Sequence, residues 1–380
     1  MPFREVCRLD ERREFVMLAS ADGANMRGLC RRFGISPTTG YKWLERWRDE
    51  GRTGLGEQSR RPHASPHRSG AAIEAAVLSL RGEHPAWGGR KIARRLRDLG
   101  QAGVPAASTV TAILRRNGVA IGILGGGQAA HCRFEREAPN DLWQMDFKGH
   151  VGLAGQGRLH PLTVLDDHSR FAVVLAACAD QRTATVRDRL AAAFRRYGLP
   201  ATIITDNGSP WGNGPGSPFT PLGVWLIEHG VRIGHSRPYH PQTMGKDERF
   251  HRSLKAEVLA GPPFADLDAA ERAFERWRGV YNSERPHEAL GLAVPASRYS
   301  ASRRDYAEAV LPFDYAPGDS VRRVQQGGHI SFRGRALKVP KAFAHRSIAF
   351  RPTSQDGCFD VVFRTQFITT IDIRDLDRAE

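Results

Sequence analysis

The segment from 138 to 300 constrains the fold most, because its hydrophobic period switches in a fixed order. Leu142-Trp143-Gln144-Met145-Asp146-Phe147-Lys148 alternates. Trp143, Met145 and Phe147 share one face of a strand, Gln144 and Asp146 the other. Leu159 to Leu165 and Arg170 to Ala177 are β-rich runs joined by Asp166-Asp167-His168-Ser169, which reads as a hairpin. Thr183 to Tyr197 follows, with Val186, Leu190, Phe194 and Tyr197 on one helical stripe, stopped by Gly198-Leu199-Pro200. Thr202 to Thr205 is a short strand, Pro221 to His229 a helix, Val231 to Gly234 a strand, and Pro241 to Ala260 a long helix. Three strands followed by alternating helices and strands predict an α/β sheet of mixed direction.

The sequence before this segment is helical in period. In 10–20, Phe15, Leu18 and Ala19 are placed on one stripe, and a second helix runs from about Met26 to Phe33. Gly34 then permits a sharp turn, Ser36 is a good N-cap and Pro37 suits the first helical position. The next helix is expected to bury Tyr41, Trp43, Leu44 and Trp47 and to leave Thr38, Thr39, Lys42 and Arg46 outside. Helix, glycine turn and a helix with a polar, basic outer face form a helix-turn-helix arrangement, whose second helix reads the DNA major groove. Residues 52–70 are rich in Arg, Pro, Ser and Gly and read as a basic linker. A second helical unit follows, with stripes Ile73-Val77-Leu80 and Ile92-Leu96-Leu99, Gly100 as a C-cap, Ser108 as the cap of a third helix and Gly118 at its end. Arg90, Lys91 and Arg94 cluster on its middle helix, which makes it a second candidate for DNA contact. The bland alternative for both units is helical packing with a solvated basic face.

Charge agrees with a polyanionic partner. The chain has 56 Lys and Arg against 41 Asp and Glu, a net charge of +15 and a pI near 10.2. Residues 1–136 hold roughly 24 of those bases and roughly 13 of the acids, as a DNA-gripping module would. The longest purely apolar run, Phe171 to Ala179, is far below the ~20 residues of a membrane span. With no apolar leader after Met1, a cytoplasmic, nucleoid-associated protein is expected. Five scattered cysteines without a C-x-x-C pair argue against a disulfide framework or a cysteine zinc site. His63 and His67 read as loop residues rather than ligands. From about 318 onward, short β-runs separated by turn residues at regular intervals read as a small barrel.

Three carboxylates stand where chemistry is usually found. Asp146 lies within the first strand, and Asp206 lies at the C-terminal end of a later one, where α/β sheets place their sites. Glu248 shares a helix face with Arg252 and Lys255, opposite the apolar stripe Phe250-Leu254-Val258. Phosphodiester transfer needs charge neutralised on the phosphate and a nucleophile made from water or a 3′-hydroxyl. Two divalent ions about 3.5–4 Å apart do both, and hard cations take oxygen ligands. Asp247 lies about 100° round the helix from Glu248, nearer the packed side, and is set aside as a ligand. Asp166 and Asp167 are read as turn chemistry.

The words around these acids carry a resemblance. Trp143-Gln144-Met145-Asp146, Thr205-Asp206-Asn207-Gly208, Pro238-Tyr239-His240-Pro241-Gln242-Thr243 and Gly245-Lys246-Asp247-Glu248-Arg249-Phe250-His251-Arg252 occur in this order. Tyr281-Asn282, Arg285-Pro286-His287, Leu290-Gly291 and Pro295 follow. Together they resemble the D-D-E catalytic core of bacterial insertion-sequence transposases in the retroviral-integrase superfamily. The resemblance implies a ribonuclease-H-like core with Asp146, Asp206 and Glu248 as catalytic metal ligands for Mg²⁺ or Mn²⁺. It implies Lys255 as a DNA contact; Arg252, on the same helix face by its spacing, is a further candidate DNA contact. It also implies double-stranded DNA (terminal inverted repeats and target) as substrate and a homo-oligomer assembled on it. The 42 positions from Asp206 to Glu248 exceed the family's usual spacing, and Ser209 to Thr220, rich in Gly and Pro, is the natural place for the surplus. His240 either contacts phosphate or makes a structural hydrogen bond before Pro241.

The expected architecture is therefore multidomain. All-α helix-turn-helix units occupy 1–51 and 71–120, separated by a linker at 52–70, and a second linker spans 121–137. An α/β ribonuclease-H-like core fills 138–300, a linker covers 301–317, and a small all-β barrel covers 318–380. Cleavage and strand transfer of insertion-sequence DNA is the expected function. The rivals are a sequence-specific DNA-binding regulator with an inactive core, and a nuclease acting on RNA–DNA hybrids.

Overall fold

The computed structural model describes residues 8–57, 68–119, 135–212, 219–235 and 245–374. His63, His67, His240 and most of the linker expected at 121–137 lie outside them. The chain divides into two compact units, 1–68 and 69–380.

In the first unit, α1 (Arg8–Ala19), α2 (Met26–Arg32) and α3 (Pro37–Glu50) close around Phe15, Val16, Cys30, Trp43 and Leu44. Gly34 sits at φ +63° in the turn, and Ser36 Oγ accepts from Thr39 N at 3.2 Å with Pro37 next in line. Gly40 allows α3 to approach α1 and α2: a Cβ there would stand 2.6 Å from Cys30 Sγ and 2.9 Å from the Phe15 ring. Two expected core residues are outside instead. Tyr41 is 58% exposed and Leu18 37%. Residues three apart step 300° round a helix, so a 3-3 series drifts off its stripe. Gly40, Trp43 and Leu44 define the buried side of α3, and Val16 takes the place expected for Leu18. Thr38 and Lys42 are exposed, while Thr39 and Arg46 are half-buried.

The second unit opens with α4 (Ala71–Glu83), α5 (Gly89–Asp98) and α6 (Ala107–Arg116), packed on Val77, Trp87, Ile92, Leu96, Val110 and Ile113. Leu99 lies past the helix end and is 58% exposed, and α6 begins at Ala107, with Ala106 rather than Ser108 at its cap.

The central sheet is made by β1 (Trp143–Phe147), β2 (Val151–Gly152), β3 (Arg158–Asp166), β4 (Ala172–Cys178), β5 (Thr202–Thr205) and β6 (Arg232–His235). Its path is β2-β3-β1-β5-β6, with β4 also on β3. β1 runs antiparallel to β3 and parallel to β5. One face is covered by α7 (Thr183–Tyr197) and α8 (Pro221–Glu228), through Val186, Leu190, Phe194, Leu222 and Leu226 against Trp143, Met145, Leu162 and Ile203. The other face is covered by α9 (Gly245–Leu254) and α10 (Leu267–Ser283), through Phe250, Leu254, Phe274 and Trp277 against Leu159, Leu165 and Leu175. The helix expected from Pro241 to Ala260 thus begins, among the described residues, at Gly245, and it ends in a π turn over Lys255–Leu259.

The C-terminal strands are β7 (Ser320–Arg323), β8 (His329–Phe332), β9 (Arg335–Lys338), β10 (Ser347–Pro352), β11 (Cys358–Phe363) and β12 (Gln366–Asp372). They form a four-stranded sheet, β12-β11-β10-β7, and a β8-β9 ribbon, so the hydrogen-bond ladders leave the ring open. Phe332 stacks on Phe350 at 4.0 Å between them. Their core is continuous with the α7–α8 side of the central sheet, for example through Phe219 and Phe343. The segment expected as a linker at 301–317 is tied down where it leaves the core. Leu199 N donates to Arg304 O at 2.7 Å, and Arg304 donates to Gly230 O at 2.6 Å.

Candidate active site

The alternation of β1 sends Trp143 and Met145 toward α7 and α8 and leaves Asp146 on the α9 face. Antiparallel register sets Thr163 of β3 opposite Asp146 on that same face. Parallel register pairs Gln144 with Ile204. Continued two residues past that pair, the same register would bring Asp146 level with Asp206, just past the end of β5. The Asp206 charge reaches the Asp146 carboxyl, which sets the two acids in one electrostatic neighbourhood. Burial raises the Asp146 carboxyl to about 6, against the opposing hydrogen bond from Phe147 N, and the Asp206 charge adds to the rise. Asp206 Oδ1 accepts from Gly208 N at 2.9 Å, and its carbonyl accepts from His235 Nδ1 at 2.9 Å. Two carboxylates held side by side at strand ends are a hard-oxygen donor set, and their mutual repulsion is what a divalent cation relieves.

Helix α9 is fixed against this edge at three heights. At its start, Lys246 Nζ lies 2.5 Å from the fully buried Asp167 Oδ1, which also accepts from Gln144 Nε2 at 2.8 Å. Asp167 is therefore a clamp between the β3–β4 turn, β1 and α9, not only a turn former. In the middle, the Phe250 ring meets Tyr281 edge-on at 4.8 Å. At the end, Arg285 donates to Ser253 Oγ at 2.9 Å and pairs with buried Glu257 at 3.0 Å. Asn282 closes the start of β4, accepting from Ala172 N at 2.8 Å and donating to Ala172 O at 3.1 Å. The Tyr281-to-His287 word of the sequence thus works as a brace for α9.

The rotation set by these contacts decides which α9 residues face Asp146. Glu248, Arg252 and Lys255 are exposed together, as their spacing predicts. Asp247 is on the packed side, also as expected, but the packed side here is the Asp146 side. Asp247 is 1% exposed and accepts from Thr163 Oγ1 at 3.1 Å. Its Oδ2 stands 3.2 Å from His251 Nε2 without hydrogen-bond geometry. His251 Nε2 is hydrogen-bonded instead to Thr163 Oγ1 at 2.9 Å, and His251 Nδ1 lies 4.0 Å from Asp146 Oδ2. Asp146, Asp247 and His251 each offer an atom within 4.8 Å of the others. Burial pushes Asp247 well above the usual carboxylate range, with the Asp146 charge adding, and burial lowers His251 to about 3. Sequence reasoning missed Thr163 and His251. Only the β1–β3 register and the i,i+4 step from Asp247 to His251 pointed to them.

The basic residues of α5 lie in a different setting from the one expected. Arg94 pairs with Asp98 at 2.8 Å, and exposed Arg90 is 3.8 Å from Glu288 of the core. Burial lowers Lys91 to about 8, with Arg285 adding to the effect. Arg95 is hydrogen-bonded to Glu284 at 2.5 Å. This face of α5 is turned at least partly toward the 284–288 segment.

Sheet order, strand-end acids and a covering helix with further acids define an integrase-type, ribonuclease-H-like core. Comparison with known proteins agrees. Residues 136–241 and 229–295 match integrase core domain families, and residues 319–378 match the IS481 family transposase C-terminal domain. Residues 11–63 match a helix-turn-helix domain and 39–114 a homeodomain-like domain. An insertion element IS476 protein of Xanthomonas euvesicatoria is 33% identical over 178 residues, 46% of this chain and 49% of that protein. An insertion element IS407 protein of Burkholderia multivorans is 30% identical over 176 residues, 46% of this chain and 61% of that protein. The chain thus spans about half to three-fifths of the length of these relatives. A simian T-cell lymphotropic virus intasome chain is 14% identical, with a TM-score of 0.39 over 77% of this chain and 95% of its own. The chain thus carries an integrase core domain and a C-terminal domain of the IS481 transposase type, and over its core it is similar to insertion-element proteins. Among the described residues, no helix is long and apolar enough to cross a membrane.

Proposed function

We propose that this chain is a D-D-E polynucleotidyl transferase that cleaves the 3′ ends of an insertion-sequence DNA and joins them to target DNA. The observation that supports the reading is the parallel pairing of β1 with β5, Gln144 with Ile204, that runs toward Asp146 and Asp206, together with a helix presenting Glu248, Arg252 and Lys255 on an exposed face. In this reading Asp146, Asp206 and Glu248 would hold Mg²⁺ or Mn²⁺, two ions per site, which would supply charge neutralisation at the phosphate and activation of a water or 3′-hydroxyl nucleophile. Asp146 and Asp206 orient the ions from the sheet, Glu248 closes the set from α9, and Arg252 and Lys255 steer the DNA backbone along the helix. The exposed residues of α3, Thr38 and Lys42, with half-buried Thr39 and Arg46, read the terminal repeats. Arg90, Lys91 and Arg94 contribute backbone contacts where the core's acids leave them free. Both DNA ends are handled by a homo-oligomer assembled on DNA, in the cytoplasm at the nucleoid. The domain boundaries read from the sequence serve these roles: 1–51 and 71–120 bind, 138–300 reacts, and 318–380 braces.

The experiment incubates labelled terminal-repeat DNA with the protein and Mg²⁺ or Mn²⁺ and scores 3′-end nicking and joining. Asp146→Asn is expected to abolish both while leaving end binding unchanged. Joining by that variant in Mg²⁺ would refute the ligand assignment.

A further inference from the structure

The acids of the strand ends do not use every donor at this edge of the sheet. Beside Asp146 lie Asp247 and His251, one helical turn apart on α9. Three features of this group point to a ligand rather than to packing. First, Asp247 is almost wholly buried, yet among the described residues no hydrogen-bond donor reaches its Oδ2. A buried carboxylate oxygen left in that state is costly and is normally neutralised by a cation or a donor. Second, the imidazole is oriented as a ligand is. Thr163 Oγ1 is hydrogen-bonded to His251 Nε2 at 2.9 Å, and the other ring nitrogen, Nδ1, lies 4.0 Å from Asp146 Oδ2. A hydrogen bond on the second ring nitrogen is the usual way a metal-binding histidine is fixed. Third, the donor atoms of Asp146, Asp247 and His251 lie within 4.8 Å of one another. Binding a common ion with bonds of roughly 2.1 Å would draw these side chains closer together.

We infer that Asp146, Asp247 and His251 form a second, inner binding site for a divalent transition ion of the Mn²⁺ class. Two carboxylates and one imidazole favour such an ion over Mg²⁺, which prefers oxygen alone. Asp146 is common to this site and to the strand-end set, so an ion held here is anchored from β1 and α9 together. The inference stands on side-chain placement and does not depend on strand transfer.

The test adds Mn²⁺ alone to the full chain, without DNA, and follows the bound ion by electron paramagnetic resonance with spin-echo detection of nitrogen coupling. The wild-type protein is expected to show imidazole nitrogen coupled to Mn²⁺. His251→Gln is expected to remove that coupling, and Glu248→Gln to retain it. Asp247→Asn, nearly isosteric, is expected to weaken Mn²⁺ binding about tenfold or more, as the loss of even an outer-shell partner does. Bound Mn²⁺ without nitrogen coupling in the wild type, or coupling that survives His251→Gln, overturns the inference. The wild-type spectrum needs no variant to fold. Failure of DNA cleavage leaves it untouched, so the two readings fail separately.

Discussion

In the N-terminal unit, α2, the Gly34 turn and α3 are joined by signals that lie within a dozen residues: Ser36 caps, Pro37 starts the helix, and Gly40 lets it pack on Phe15 and Cys30. Helix α9 is held quite differently. Its partners are Asp167, Thr163, Tyr281 and Arg285, each more than thirty residues from the α9 residue it meets, and most of these contacts are polar and at least partly buried. The first arrangement is set by local propensity and apolar packing. The second is set by charges that must meet across the fold. Removing one partner from the second leaves a buried charge, while removing a cap from the first leaves a backbone group that water can reach.

Substitutions ranked by expected cost test that contrast. Asp167→Ala leaves Lys246 without its buried partner, and unfolding in denaturant should show a loss of about 3–5 kcal/mol. A loss below that of the next variants would break the comparison. Gly40→Ala drives a methyl into Cys30 Sγ and the Phe15 ring, and should cost about 1–3 kcal/mol by the same measurement. Ser36→Ala removes the bond to Thr39 N and should cost about 1 kcal/mol, with Ser36→Asp restoring most of it. Tyr41→Ala, at an exposed position, should change stability by no more than about 0.5 kcal/mol. A larger effect would return Tyr41 to the core that the sequence spacing assigned it.

Much of the site was legible before any contact was known. The alternation around Asp146, the strand end at Asp206 and the exposed face of Glu248, Arg252 and Lys255 follow from periods of 2 and 3.6. The apolar stripe Phe250-Leu254-Val258 was also read correctly, and with it the packed position of Asp247. What the stripe could not tell was that the packed side carries Asp146 and Thr163 as well as apolar side chains. The positions of Tyr41 and Leu18 failed for a related reason: a three-residue step drifts about the helix axis, and only the neighbouring helices fix where the core lies.

Local sequence by itself determined the elements of this protein: where α3 starts, how β1 alternates, and which strands and helices follow one another. Tertiary structure alone decided that Asp247 and His251 meet Asp146 and that Asp167 clamps Lys246. Secondary structure depends on forces between near neighbours along the chain, whereas the rotation of a helix on a sheet is fixed by side chains that are distant in sequence. For that reason the residues of the candidate site are known as a group only once the fold has brought them together.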